Sequence, residues 1–169
     1  MINWKYYPAN KNCPDELTPI IKTFEKHESA ISSDNLERLK SNEVLAKIGI
    51  DLETYGFKVE KSKSSDDKIK VPVLFGHNGR ITLSFDADAY NPKTKVVLEV
   101  EAGRAVTNYQ FLKDFFQACM MQDVNFFCVA VRNKYLKRND FKQVIKFFDA
   151  LFASGKLSVP FEGILILGY

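Results

Sequence analysis

Residues 80–103, RITLSFDADAYNPKTKVVLEVEAG, decide how this chain is read. Two strand-like runs flank Asn91-Pro92-Lys93-Thr94, and Asn-Pro is strong turn chemistry. Residues two apart on a strand share a face. Asp86 and Asp88 therefore point one way on the first run, and Glu99 and Glu101 one way on the second. With Tyr90 paired to Lys95 across the turn, Glu99 falls opposite Asp86. Acids crowded on one sheet face repel one another unless a cation lies between them. That pattern suits a hard divalent metal and metal-assisted phosphodiester chemistry.

Upstream, residues 15–31 carry Leu17, Ile20, Ile21, Phe24 and Ile31 in a helical stripe, broken by Ser32-Ser33-Asp34-Asn35. Asp34 with Glu37 predicts a capping box. Residues 42–55 place Val44, Leu45, Ile48, Leu52 and Tyr55 on one helix face, with Gly56 as a left-handed stop. Phe57 and Val59 alternate with polar neighbours and begin a strand. Residues 61–70 read as a polar loop, and 71–75 as a short edge strand because Pro72 interrupts it. Residues 1–12 have no clear period and read as a locally packed arm, in which Trp4, Tyr6 and Tyr7 pack rather than stack on bases.

Downstream, VVLEVE at 96–101 reads as a central strand. Thr107 with Gln110 predicts a capped helix that buries Phe111, Leu112, Phe115, Phe116 and Cys119. FFCVAV at 126–131 is a strand buried on both faces. Asn139 or Asp140 caps a helix carrying Phe141, Val144, Ile145, Phe148, Leu151 and Phe152, which Gly155 ends; residues 162–169 form a last strand. The order is helix, helix, strand, hairpin, helix, strand, helix, strand. It predicts an α/β fold with a mixed central sheet flanked by helices and right-handed crossovers near the end.

The 169 residues suffice for one domain, and 46% apolar content with 14 Phe and 7 Tyr excludes a disordered chain. Cys13, Cys119 and Cys128 are odd in number and lack C-x-x-C spacing, which argues against a disulfide framework or a cysteine zinc site. No apolar run approaches the roughly 18 residues that span a bilayer. The first residues carry no signal-peptide pattern, so a cytoplasmic setting is the expectation. Net charge is only +3, but Arg132, Lys134, Lys137, Arg138, Lys142 and Lys146 cluster against the single acid Asp140. Such a patch either faces a phosphate backbone or is a solvated face.

The helix order with Phe85-Asp86 and Glu99-Val100-Glu101 resembles the PD-(D/E)xK nuclease superfamily, which includes type II restriction endonucleases. The resemblance covers about residue 42 to the end. It implies a single restriction endonuclease-like domain over 1–169, with residues 1–41 as N-terminal arm and helices and 42–169 as nuclease core. Asp86 takes the place of the motif Asp, with Phe85 in place of the Pro. Glu99 takes the second acid, and Glu101 stands where most members carry Lys, as in a minority of the restriction enzymes. Glu43, followed by Gly56-Phe57, matches the helix acid of the family.

The implied activity is DNA phosphodiester hydrolysis with Mg²⁺, Mn²⁺ being a substitute. Asp86, Glu99 and the Val100 carbonyl are the implied metal ligands, with Asp88 as the alternative to Asp86 if the hairpin register shifts. Glu101 is the implied general base or second-metal ligand, and Glu43 orients a water. Arg104, Arg132, Lys134, Lys137 and Arg138 are the expected DNA contacts. Arg104 and Lys113 either contact phosphate or stand in for the missing Lys. A homodimer is expected if both strands of a palindrome are cut. The rival reading is a catalytically inactive member of the same fold that binds nucleic acid or protein.

Overall fold

The computed structural model describes every residue except Leu36, Glu37, Lys63 and Ser65. The Asp34–Glu37 capping box thus lies outside the described residues. Two long apolar runs and the apolar-then-alternating VVLEVE become the centre of the molecule. They are strands β6 (Val96–Glu101), β7 (Phe126–Val131) and β8 (Gly163–Gly168), paired in parallel. Every residue of β7 and β8 is buried, as strands covered on both faces require. Helices α4 (Gln110–Met120) and α5 (Asp140–Ser154) make the two crossovers. Both step across the sheet in one direction, so right-handed connections put them on the same face.

Three antiparallel strands complete the sheet: β1 (Asn3–Tyr7), β2 (Lys58–Val59) and β5 (Ala89–Asn91), in the order β1-β8-β7-β6-β5-β2. The N-terminal residues are therefore an edge strand on β8 and not a local arm. Tyr6 and Tyr7 are buried by that pairing, while Trp4 stays half exposed. On the face opposite α4 and α5, Leu17, Ile20, Phe24, Ile48 and Leu52 pack on Leu98, Cys128 and Leu165. They come from a 3-10 turn at Asp15–Leu17 and from α1 (Thr18–Lys26) and α3 (Ser41–Thr54), with the short α2 (Glu28–Ile31) following α1.

A separate two-stranded ribbon, β3 (Ile69–Phe75) and β4 (Ile81–Ala87), leaves the main sheet where the chain bends at Asp88. The bend inverts side-chain parity. Ala89, beyond it, packs with the α1/α3 core, whereas Ala87, before it, packs with the α4/α5 core. A regular hairpin would have kept both on one face.

Candidate functional site

The hairpin register differs from expectation by two residues on β6. Tyr90 pairs with Val97 and Ala89 with Leu98, while Lys95 sits in the turn at φ 56°. Continuing that register sets Asp88, not Asp86, opposite Glu99. The side chain confirms the placement, because Val100 N donates to Asp88 Oδ2 at 2.7 Å. Glu60 N donates to the Asp88 carbonyl at 2.8 Å, so the bend is held from both sides. Asp86 lies on the exposed side of β4, paired across the ribbon with Lys70. It reaches only the margin of the cleft that the other acids share.

That cleft has a volume of about 370 Å³. Asp88, Glu99 and Glu101 form its wall from the bend and β6, and Lys113, Asp114 and Gln117 close it from α4. Glu60 and Lys68 stand at its mouth, paired at 2.8 Å. Burial raises the affinity of all four inner carboxyls for protons. Asp88 is pushed up to about 7 by burial, with Glu60 and Asp114 adding repulsion against the Val100 N–H bond. Burial, then the Asp114 carboxylate, pushes Glu101 up to about 8. Glu99 is held well above the usual range by burial and by Asp88, Asp114 and Glu101. Burial raises Asp114 as well, opposed by Lys113, whose Nζ lies 3.4 Å from Asp114 Oδ1. Asp114 and Glu101 face each other across the cleft, and the Asp114 charge adds to burial in raising the proton affinity of Glu101.

Hard oxygen donors confined this way match the chemistry of a hard divalent cation. Among the described residues, however, no three His, Cys, Asp or Glu groups already form a set able to hold an ion.

Glu43 does not line the cleft. Its carboxylate accepts from Lys40 N at 2.5 Å and caps the first turn of α3. Ser41, two residues earlier, lines the cleft instead, and its Oγ accepts from Ala102 N at 3.3 Å. Asp114, Glu60 and Lys68 were not anticipated. Asp114 did carry a signal: three residues after Phe111 and beside Phe115, it falls on the buried face of a strongly apolar helix. An acid there needs partners.

The basic residues separate into two groups. Arg104, Lys137 and Arg138 line a second cleft of about 870 Å³ with Arg38 and Tyr135. A groove lined by Lys40, Arg104, Lys68 and Asp88 joins it to the acidic cleft. Arg132, expected on this surface, is only 3% exposed. It follows β7 directly, points inward and donates from Nη2 to the Leu39 carbonyl; buried Asp140 is offset first by Arg138, whose Nε lies 3.7 Å away, and then by Arg132. Lys134 is exposed, 3.5 Å from Asp34, and lies outside the groove. Among the described residues no helix is long and apolar enough to cross a membrane. Compared with known proteins, the sequence matches no family model and no curated protein.

Proposed function

We propose that this chain is a metal-dependent nuclease that hydrolyses DNA phosphodiester bonds in the acidic cleft, with the element order of a restriction endonuclease-like fold. One observation carries this reading. Asp88, Glu99 and Glu101 meet where a strand bends off the sheet, and the cleft they line runs on into a basic groove. Carboxylates gather metal and water, and a basic track accepts the phosphate backbone.

In this mechanism Asp88 and Glu99 offer the oxygens that would hold Mg²⁺ or Mn²⁺, with the Val100 carbonyl beside them. The ion would supply Lewis acidity toward the phosphate and lower the pKa of water. Glu101 Oε receives the proton of the attacking water. Its affinity, pushed up to about 8, suits a base working near neutrality. Asp114, whose charge adds to the proton affinity of Glu101, faces it across the cleft. Lys113 and Lys68 bring positive charge into the cleft, which position 101 lacks in this chain. Lys40, Arg104, Lys137 and Arg138 guide the backbone in.

The test is cleavage of plasmid and of linear single- and double-stranded DNA with Mg²⁺ or Mn²⁺ against EDTA. Glu99→Gln and Asp88→Asn are expected to lose about 100-fold or more in rate, on the scale of a lost acid–base or metal-binding group. Asp86→Asn is expected to stay within a few-fold of the parent, about 2–3-fold. Undiminished cleavage by the Glu99 variant overturns the assignment. The rival reading, a non-catalytic binding module, draws on the absence among described residues of a ready ion-holding set. Calorimetry that finds DNA binding without Mg²⁺ or Mn²⁺ uptake would select it.

A further inference from the structure

The ribbon β3–β4 has an apolar face that outruns the core it packs on. At its base Val71, Phe85 and Ala87 rest against the α4/α5 core. Further out, the cross-strand pairs Leu74–Leu83 and Phe75–Ile81 continue toward the tip. There they are 55%, 40%, 51% and 57% exposed, in that order. The two edges of the ribbon are not alike. On the β3 side the Pro72 carbonyl accepts from Gln122 N at 2.7 Å, just beyond α4. On the β4 side no further strand pairs among the described residues. An apolar strand with an open edge is a template for another strand.

The charges say which strand fits. Arg80 precedes β4, and Asp86 lies near its end. Neither is in a salt bridge among the described residues, although Asp86 stands across the ribbon from Lys70 and its charge reaches Lys68. The two are equidistant from Leu83 along the sequence. If β4 pairs antiparallel with itself about a two-fold axis at Leu83, Arg80 of each copy falls opposite Asp86 of the other. Ile81 then falls opposite Phe85, and residues directly opposite in such a pair lie on one face. A two-fold contact must be self-complementary in this sense.

We propose that two copies of this chain associate through β4, joining their ribbons into one four-stranded antiparallel sheet. Because Asp86 lies at the margin of the acidic cleft, the contact brings Arg80 of each copy to the rim of the other's cleft. The inference stands on the ribbon alone and does not depend on the nuclease reading.

Sedimentation velocity on the full chain from 1 to 100 µM, about the range in which modest interfaces populate dimers, tests it. The expected result is a concentration-dependent dimer. Arg80→Glu and Asp86→Arg should each weaken it about tenfold, since each sets like charges opposite one another twice per dimer. The double variant Arg80→Glu/Asp86→Arg should restore it. Backbone amides 81–85 should gain hydrogen-exchange protection as concentration rises. A monomer throughout the range overturns the proposal, as does a dimer indifferent to both reversals or not rescued by the double variant. A monomer that loses DNA affinity in either variant would assign the ribbon to a nucleic-acid groove instead.

Discussion

At the residue scale, the site turns on Asp88. Period-two reasoning gathered Asp86, Asp88, Glu99 and Glu101 because it assumed an unbroken strand through residue 88. The bend sets Asp88 opposite Glu99 and bonded to Val100 N, while Asp86 lines the same cleft from the exposed side of β4. Crowding of the inner carboxyls has a thermodynamic consequence. Their folded-state proton affinities exceed ordinary values of 3.8 for Asp and 4.5 for Glu, reaching about 7 at Asp88 and about 8 at Glu101. Between those limits the folded protein binds more protons than the unfolded chain, so stability falls as pH rises. The metal-free protein is expected to lose melting temperature from about pH 4 up through pH 8, as Asp88 and Glu101 give up their protons, with Glu99 adding to the loss in the same direction. Glu101→Gln should flatten the profile, and millimolar Mg²⁺ should raise the melting point most at the alkaline end. A thermal melt series across that range checks this; a profile that rises with pH would mean the acids are already compensated.

At the scale of elements, the exit from β6 constrains the site most. Gly103 adopts φ 126°, and a Cβ placed there would sit 2.3 Å from Tyr135 Cε2. The strand can thus leave the acidic cleft and pass directly under the ring of the basic one. Gly103→Ala combines a left-handed strain with this overlap and is expected to cost about 1–3 kcal/mol, read as a lower urea midpoint. Wild-type stability in that variant would show that Tyr135 moves aside freely. The start of α4 also departs from its sequence signature. Thr107 does not cap it; its Oγ1 accepts from Arg138, and Tyr109 enters the helix at φ 51°. Phe116, counted among the buried residues by spacing, is 51% exposed, because the α4 face turned to the sheet runs through Phe111, Asp114, Phe115 and Ala118. By contrast Asn139 caps α5 as its residue type suggests, accepting from Lys142 N at 2.8 Å, and Gly155 ends it in the left-handed conformation.

At the scale of the whole molecule, a net charge of +3 understates its polarity, since acids and bases are sorted into adjoining clefts. If the basic cleft carries DNA, Arg104→Ala and Lys137→Ala should each weaken binding and lower the slope of log affinity against log salt by about 0.9. Arg132→Ala should behave differently. It removes a buried side chain and leaves the Leu39 carbonyl without its donor, so it should lower stability by about 1–3 kcal/mol before any effect on the salt slope appears. Fluorescence anisotropy at several salt concentrations, paired with urea melts, separates the two cases. A salt slope unchanged in the Arg104 and Lys137 variants would move the DNA path elsewhere. Local patterning in the sequence determined the three buried strands, the amphipathic helices and the presence of a carboxylate cluster beside β6, because periodicity and burial act over a few residues. Tertiary structure alone decided that the N-terminus pairs with the last strand, that Asp88 and not Asp86 stands opposite Glu99, that Asp114 joins the cleft and that Arg132 turns inward. Each of those outcomes depends on a bend, or on a contact between distant residues, that no short window of sequence encodes.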